Sequence, residues 1–595
     1  MNKRHPVGLW VLFTTEMWER FAFYLMRAIF VLYLVDVSTN ESTPGFGWSE
    51  ADAYRLYGIY TSLVYFLPLL GGWVADRFLG QRRCVLLGGM MMALGEFCLA
   101  ATEFVRIGNG VKVTWQTDPA ALVMFYAGLG LMILGNGFFK PCISVMVGQL
   151  YAPGDKMRDS AFSIFYMGIN IGAFFSPLVA GSIAEKYGYH YGFIIAGLGM
   201  IFGLITFSFF GAACLKGIGT PPAKQDTNAE RTPEEKAVKE KAIYEQTRPL
   251  VKEDWDRMYV ILVLSLFVIA FWVSFEQAGS SLNIFAKSKT DRAVADLVIR
   301  VTPNAVSKNL YLNNEDVVDF QATVIRTQAL ADQLERLGNE VVRESLGDRL
   351  KRLFSFKVSK DNRTMEELVP ALQQQATDLT QRLQDTSDED ARNAVEQMNR
   401  KKKTAESSYS PGQTALTFPT TWYQSVNAFG IVIFAPIFTA IWLFLASRGM
   451  EPSTPTKFAL GLLLLSLGFF LMIPGAREAA TQGKAAAHWL IWCYLFSTWG
   501  ELCLSPIGLS MITKLAPARY ASLFMGVWFM ASSIAYLLAG ELARMFGSGE
   551  GVNLIFGKEG GLADFFLLMA IIPLVIGVIA LAMAPSLKKK MHGIL

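Results

Sequence analysis

Twelve apolar stretches, each long enough to cross a bilayer, run through this chain of 595 residues. A hydrocarbon core about 30 Å thick takes roughly 20 apolar residues as a helix. The stretches fall near 7–35, 54–75, 84–105, 121–148, 159–184, 191–214, 258–286, 422–446, 458–475, 488–512, 521–545 and 562–584. Composition agrees with a membrane protein. Hydrophobic residues make up 52% of the chain and charged residues 17%, against about 25% charged in an average soluble protein. A soluble fold of that balance would show large apolar patches to water and aggregate. The expected class is therefore an all-α membrane protein. The formal charge of +4 excludes a polycation built to bind nucleic acid, and no nucleic-acid partner is expected.

The N-terminal run carries Glu16, Glu19 and Arg20 and no small-residue cleavage pattern, so it reads as a first membrane helix and not as a cleaved signal peptide. An even number of spans puts both termini on one side. Lys3, Arg4, Arg77, Arg82, Arg83, Lys156, Arg158, Arg448, Lys457, Lys514, Arg519 and Lys588–Lys590 all fall on that side, whereas 36–50 has no basic residue. The excess of basic charge predicts that both termini are cytoplasmic.

Two polar stretches interrupt the pattern. The expected organisation is an N-terminal six-helix bundle over 1–215, a cytoplasmic linker over 216–256, and the seventh helix over 257–286. An outer insert over 287–416 follows, and helices 8–12 occupy 417–595. Leu330, Leu334, Leu337 and Val341, and then Leu368, Leu372, Ala376, Leu379 and Leu383, have amphipathic-helix spacing, so the insert is expected to be mostly helical and extramembrane. The halves echo each other. Pro141 and Pro506 are each followed nine residues later by a leucine, with Ala-Pro after one intervening residue in the first half and directly after it in the second. A six-plus-six duplication suggests a transporter with its site between the halves.

Ionisable residues at bilayer depth cost roughly 2.5–3.5 kcal/mol even on the lenient insertion scale, so each one needs a reason. Those singled out are Glu16, Glu19, Arg20 and Arg27 in the first span, Lys140 in the fourth, Glu276 in the seventh and Glu501 in the tenth. At 100° per residue, Glu16, Arg20, Tyr24 and Arg27 lie within about 80° of one another and form one polar stripe. A carboxylate beside Arg20 is stable ionised and becomes protonatable when the arginine is drawn away, which outlines a proton switch. A static ion network that pins helices together is the alternative. Lys140 either holds an anion in a cavity or snorkels to the interface. Glu276 and Glu501 are either functional or structural partners of basic residues on neighbouring helices. Asn170, Asn427 and Gln424 fit interhelical hydrogen bonds. Tyr65 and Trp528 fit either packing or a cavity wall.

These residues also carry a resemblance. Glu16-Met17-Trp18-Glu19-Arg20-Phe21-Ala22-Phe23-Tyr24 resembles the ExxERFxYY signature of the proton-dependent oligopeptide transporters, a branch of the major facilitator superfamily. Gly71 through Arg83 resembles the superfamily's loop motif between helices two and three. Phe165 through Gly172 resembles the family's FYxxINxG signature. Gly137-Phe138-Phe139-Lys140-Pro141, Phe271-Trp272 through Glu276-Gln277, Gln424 through Asn427, and Glu501 through Pro506 are family-like as well. The resemblance covers nearly all of the chain outside 216–256 and 287–416. It implies a major facilitator fold of twelve helices in two six-helix bundles, and uptake of di- and tripeptides by proton symport across the inner membrane. It implies that Arg27 and Lys140 hold the peptide carboxylate, and that Asn170, Asn427 and Glu501 hold its amino end. Tyr24, Tyr65 and Trp528 would line side-chain pockets, and Glu16, Glu19, Arg20 and Glu276 would couple protons. Peptide, protons and lipid are the expected partners of a functional monomer that needs no cofactor or metal.

There are departures. Phe23 replaces the first tyrosine of the signature, Ala428 follows Asn427 where proline is frequent, and Gly58 stands where animal members carry a coupling histidine. The chain is thus similar to bacterial members, yet 216–256 is too polar to supply their two extra helices. The rival substrates are nitrate or another small solute, and the rival class is a receptor whose outer insert senses a ligand. No GxSxG, HExxH, P-loop or dinucleotide fingerprint stands in a suitable context, and an enzyme is not expected.

Overall fold

The computed structural model describes residues 5–36, 45–108, 119–151, 155, 157–220, 249–292, 418–517, 520–547 and 561–593. Twelve long helical spans lie among them. In order they are Val7–Val35, Glu50–Leu79, Gln81–Gly108, Pro119–Gln149, Ser160–Tyr187, Tyr189–Cys214, Lys252–Ser288, Trp422–Ser447, Thr454–Gln482, Ala487–Leu515, Ala521–Gly547 and Gly561–Lys590. Ten have the length and apolar composition of membrane crossings. The first, with its four charges, and the tenth have 29 residues each, about 43 Å as helix. Val123, Phe209, Leu266 and Leu443 keep 64–76% of their surface exposed, which water would penalise and lipid does not.

Local chemistry sets the ends. Ser49 caps the second span by accepting the Asp52 N–H at 3.1 Å, with Glu50 and Asp52 in its positive first turn. The seventh span starts at Lys252, inside the stretch expected as linker, because the Asp254 carboxylate accepts the Val251 N–H at 3.1 Å. The rest of that linker, 221–248, lies outside the described residues. Twelve crossings bring the start of the first span and the end of the twelfth to one face, the terminal face; the opposite is the far face.

The first span is buried along most of its length and packs on the fifth and sixth. The two halves meet through the second and eleventh, the fifth and eighth, and the first and seventh spans. At the first of these contacts a Cβ on Gly58 would stand 2.8 Å from the Gly540 Cα, so the backbones touch there only because both residues are glycine. Ser62 and Ser533 share a hydroxyl hydrogen bond of 2.9 Å next to it. At the second contact the Glu185 carboxylate accepts the Thr420 and Thr421 N–H groups at 2.8 and 2.6 Å. At the third, Asn283 donates to the Ala28 carbonyl at 2.7 Å and Lys287 pairs with Asp36. All three contacts lie toward the far face, which is closed.

The described ends of the outer insert form part of a separate small unit, Thr290–Pro419 with Gln482–His488. Within it the Asp291 N–H donates to the Ala485 carbonyl at 2.8 Å, and the Phe418 N–H donates to the Arg292 carbonyl at 2.8 Å. The Arg292 guanidinium returns a bond to the Phe418 carbonyl at 2.7 Å. Residues 293–417, and with them the expected helical character of the insert, lie outside the described residues.

Candidate functional site

Beneath the closed far face, side chains from the first, second, seventh, eighth, tenth and eleventh spans enclose a cavity of about 40 Å³. That volume admits a few waters. Its wall carries charge of both signs. Arg27 Nη2 stands 3.5 Å from Glu276 Oε1, and its guanidinium lies over the rings of Tyr24 and Phe275, 5.9 and 5.6 Å from their centres. On the same wall the Glu501 carboxylate accepts from Asn427 Nδ2 at 3.0 Å, and Asn427 also donates to Thr498 Oγ1 at 3.1 Å.

Glu276 sits where its helix changes winding. The span runs as α-helix over Lys252–Phe275, as a single 3₁₀ turn over Glu276–Gly279, and again as α-helix over Ser281–Ser288. Gly279, the last residue of that turn, is packed tightly against the second span. A Cβ there would lie 1.8 Å from the Tyr57 hydroxyl oxygen, so Tyr57 occupies the space a side chain would take. From that position its hydroxyl donates to Glu276 Oε2 at 3.4 Å. The carbonyl of Ala278 in this turn accepts from Gln424 and, at 3.4 Å, from the Tyr494 hydroxyl. A 3₁₀ turn inside a long helix is a frequent mark of a hinge.

A second charge cluster lies nearer the terminal face. Arg20 Nε is 2.7 Å from Glu16 Oε1 and 2.9 Å from Glu19 Oε2, and both carboxyls are at most 1% exposed. Asn136 of the fourth span donates to Glu19 Oε1 at 3.0 Å. Lys140, one helical turn beyond Asn136, holds its ammonium 3.5 Å from the centre of the Tyr65 ring, and that ring also lines the cavity. One guanidinium shared by two carboxylates leaves room for one proton: if either carboxyl is neutralised, the other keeps its partner.

Of the residues expected from the sequence, Tyr24, Arg27, Tyr65, Glu276, Asn427 and Glu501 line the cavity. Glu16, Glu19, Arg20 and Lys140 form the cluster below it. Two stand apart from the wall. Asn170 donates to the carbonyl of Tyr166 on its own helix at 2.9 Å. Trp528 packs on Phe458, with ring centres 6.2 Å apart, and fills the space beside Gly508. The structure adds Tyr57, Thr61, Trp272 and Tyr536 to the wall, Asn136 to the cluster, and Glu96 as a further buried carboxyl. Tyrosines inside spans are mostly packing residues, so sequence carries little to mark Tyr57. Glu96 and Asn136 do have a signal, as polar groups within apolar runs. No group of three His, Cys, Asp or Glu side chains placed to hold a metal occurs among the described residues.

A family profile described as PTR2, POT family, matches residues 82–222 and 411–558. The chain is 31% identical to the peptide transporter YePEPT of Yersinia enterocolitica, over 90% of this chain and 87% of that one. It is 30% identical to a di-/tripeptide transporter of Lactococcus lactis subsp. cremoris, over 99% and 97%, and 30% identical to the uncharacterized transporter YclF of Bacillus subtilis, over 99% and 96%. Among solved structures it is similar to a peptide transporter POT in complex with sulfate, with a TM-score of 0.65 and 26% identity over 99% of this chain and 96% of that one. A mutant of a peptide transporter POT in complex with alafosfalin matches with a TM-score of 0.65 and 27% identity over the same shares. The chain therefore belongs to the POT family, membrane transporters of the major facilitator fold and not enzymes.

Proposed function

We propose that this protein takes up di- and tripeptides across the cytoplasmic membrane by proton symport and alternating access. The observation that carries the reading is the cavity wall itself, which holds both the Arg27–Glu276 pair and the Glu501–Asn427 pair. A zwitterion needs a cation for its carboxylate and an anion for its amine across a low-dielectric gap. Relatives named for peptide or di-/tripeptide transport support the substrate class.

In this reading Arg27 and Lys140 hold the peptide carboxylate, while Glu501, Asn427 and Asn170 hold its amine. Tyr24, Tyr65 and Trp528 bound the side-chain pockets, while Asn170 and Trp528 stand off the wall of the present cavity. Glu276 and Arg27 satisfy each other while the far face is shut. A proton arriving on Glu276 from the far side frees Arg27 for the incoming carboxylate. Glu16, Glu19 and Arg20 then pass the proton toward the terminal face as Arg20 exchanges partners. The basic residues Arg77, Arg82, Arg83 and Lys588–Lys590 make the terminal face cytoplasmic, so uptake runs inward with the proton gradient. The protein acts as a monomer, with each copy enclosing its own cavity.

The test is uptake of a labelled dipeptide into proteoliposomes under an imposed pH gradient, acidic outside, with nitrate and a single amino acid as competitors. Gradient-driven accumulation blocked by unlabelled dipeptides supports the reading. Equal inhibition by nitrate, or no accumulation, rejects it.

A further inference from the structure

Lys140 of the fourth span holds its ammonium 3.5 Å from the centre of the Tyr65 ring. A heavy atom that close to a ring centre stands over the face, where the π-cloud is negative. The same ammonium is 5.9 Å from the centre of the Phe23 ring, and Phe23 meets Tyr65 edge to face with ring centres 6.5 Å apart. Lys140, Phe23 and Tyr65 all belong to the N-terminal half. The Tyr65 ring has a further neighbour from the other half. Tyr536 of the eleventh span is 3% exposed and brings its ring centre to 4.4 Å from that of Tyr65. Its other aromatic neighbour is Trp272 of the seventh span, at 6.2 Å. Tyr65 and Tyr536 both line the cavity.

The separation of the two tyrosines is set by the contact between the halves. Gly58 against Gly540 and the Ser62–Ser533 hydroxyl bond hold the second and eleventh spans together on the far side of the ring pair. A movement that parts these spans at the far face withdraws Tyr536 from Tyr65, and Tyr65 then has room to turn from beneath Lys140.

We propose that Tyr536 is a positioning residue for the carboxylate end of the site. It backs the Tyr65 ring and so seats the Lys140 ammonium on that ring while the far face is shut; parting of the halves unseats it. This rests on the reading above, in which Lys140 holds the peptide carboxylate. A cation engaged by an aromatic face is less available to an acid group. The site therefore holds a carboxylate tightly when open to the far side and loosely when shut. Closure, by re-forming the Tyr65–Tyr536 contact, competes with the peptide for Lys140 and promotes release toward the terminal face.

Two measurements test this. The first uses purified protein without substrate. Lysines are methylated with formaldehyde and a borohydride, and Lys140 is followed by mass spectrometry against the other lysines. Tyr536→Leu should raise Lys140 labelling several-fold, and Tyr536→Phe, which keeps the ring, should restore the wild-type rate. Equal labelling of Lys140 in wild type and Tyr536→Leu overturns the proposal whatever the substrate proves to be. The second is equilibrium binding of a dipeptide and of its C-terminal amide. Loss of a cation–π contact in a desolvated site is worth about tenfold. Tyr536→Leu should therefore tighten binding of the acid about tenfold and leave the amide unchanged, and kcat and KM for the acid should fall together because release slows. Equal changes for acid and amide mark a merely structural role and overturn the proposal. If Tyr536→Leu does not fold, Tyr536→Met carries the same expectations. A wild type that binds neither ligand rejects the peptide reading and leaves the labelling to decide whether Tyr536 seats Lys140.

Discussion

Arg27 of the first span and Glu276 at the 3₁₀ turn of the seventh stand 3.5 Å apart, at the point where the two halves of the protein close over the cavity. Each belongs to a different half, so a separation of the halves at the far face would break the pair. Removing one partner leaves a buried charge uncompensated, at a cost of about 3–5 kcal/mol. Glu276→Gln should therefore shift the balance toward far-side opening by well over tenfold. Acid on the far side should act in the same direction, because protonation of Glu276 removes the charge that holds Arg27. Spin-label distances across the far ends of the first and seventh spans, in wild type and Glu276→Gln at neutral and acidic pH, check both. Wild-type distances that ignore acid, or a variant identical to wild type at neutral pH, would remove the pair from gating.

Glu185 supplies a second latch with different chemistry. Its carboxylate takes the Thr420 and Thr421 N–H groups at the start of the eighth span, and so caps a helix that belongs to the other half. Opening the far face uncaps that helix. Loss of a cap of this kind costs about 1–2 kcal/mol. Glu185→Gln should raise the far-open population several-fold while leaving peptide affinity in exchange assays unchanged. Reagent access to a single cysteine placed near Thr421 reads the change; access equal to that of the capped protein would show that Glu185 does not hold the face shut.

The outer insert enters and leaves through adjacent backbone. The Phe418 N–H meets the Arg292 carbonyl at 2.8 Å, and the Asp291 N–H is tied to Ala485 at 2.8 Å. A short Gly/Ser bridge between Arg292 and Phe418 can therefore replace 293–417 without strain on either flanking span. Among the described residues, the cavity and cluster side chains all come from the membrane spans. The trimmed protein should drive proton-dependent uptake within a few-fold of wild type. A correctly inserted deletion protein that binds no peptide would place part of the site in the insert.

The fold was largely legible because its determinants are long: a run of some twenty apolar residues has few alternatives to a membrane helix. The site was legible where charge stood inside such a run, as with Arg27, Glu276 and Glu501. Two kinds of feature stayed hidden. The 3₁₀ turn at Glu276–Gly279 lies in an apolar run with no proline, and the Tyr57 hydroxyl packed beside its Gly279 comes from a helix more than two hundred residues away in sequence. Trp528 sits off the wall because Gly508 leaves a space that the indole fills, a pairing that sequence spacing does not encode. Glu96 differs from both. Its charge within 84–105 was in plain view, but only the structure shows that it has no partner.

The cluster around Arg20 gives the last prediction. Glu16 and Glu19 bind the same guanidinium nitrogen, at 2.7 and 2.9 Å, so the pair behaves as one site with one exchangeable proton and not as two independent acids. Glu16→Gln and Glu19→Gln each mimic a permanently protonated carboxyl with little change in volume, and each leaves Arg20 one ionised partner. Folding should therefore survive either change. Coupling should not, since a cluster fixed in its protonated state cannot release a proton to the terminal face. Accumulation driven by a pH gradient should be abolished in both variants, whereas peptide exchange across the membrane, which needs no net proton movement, should persist. Wild-type accumulation by both variants would take the proton switch away from this cluster.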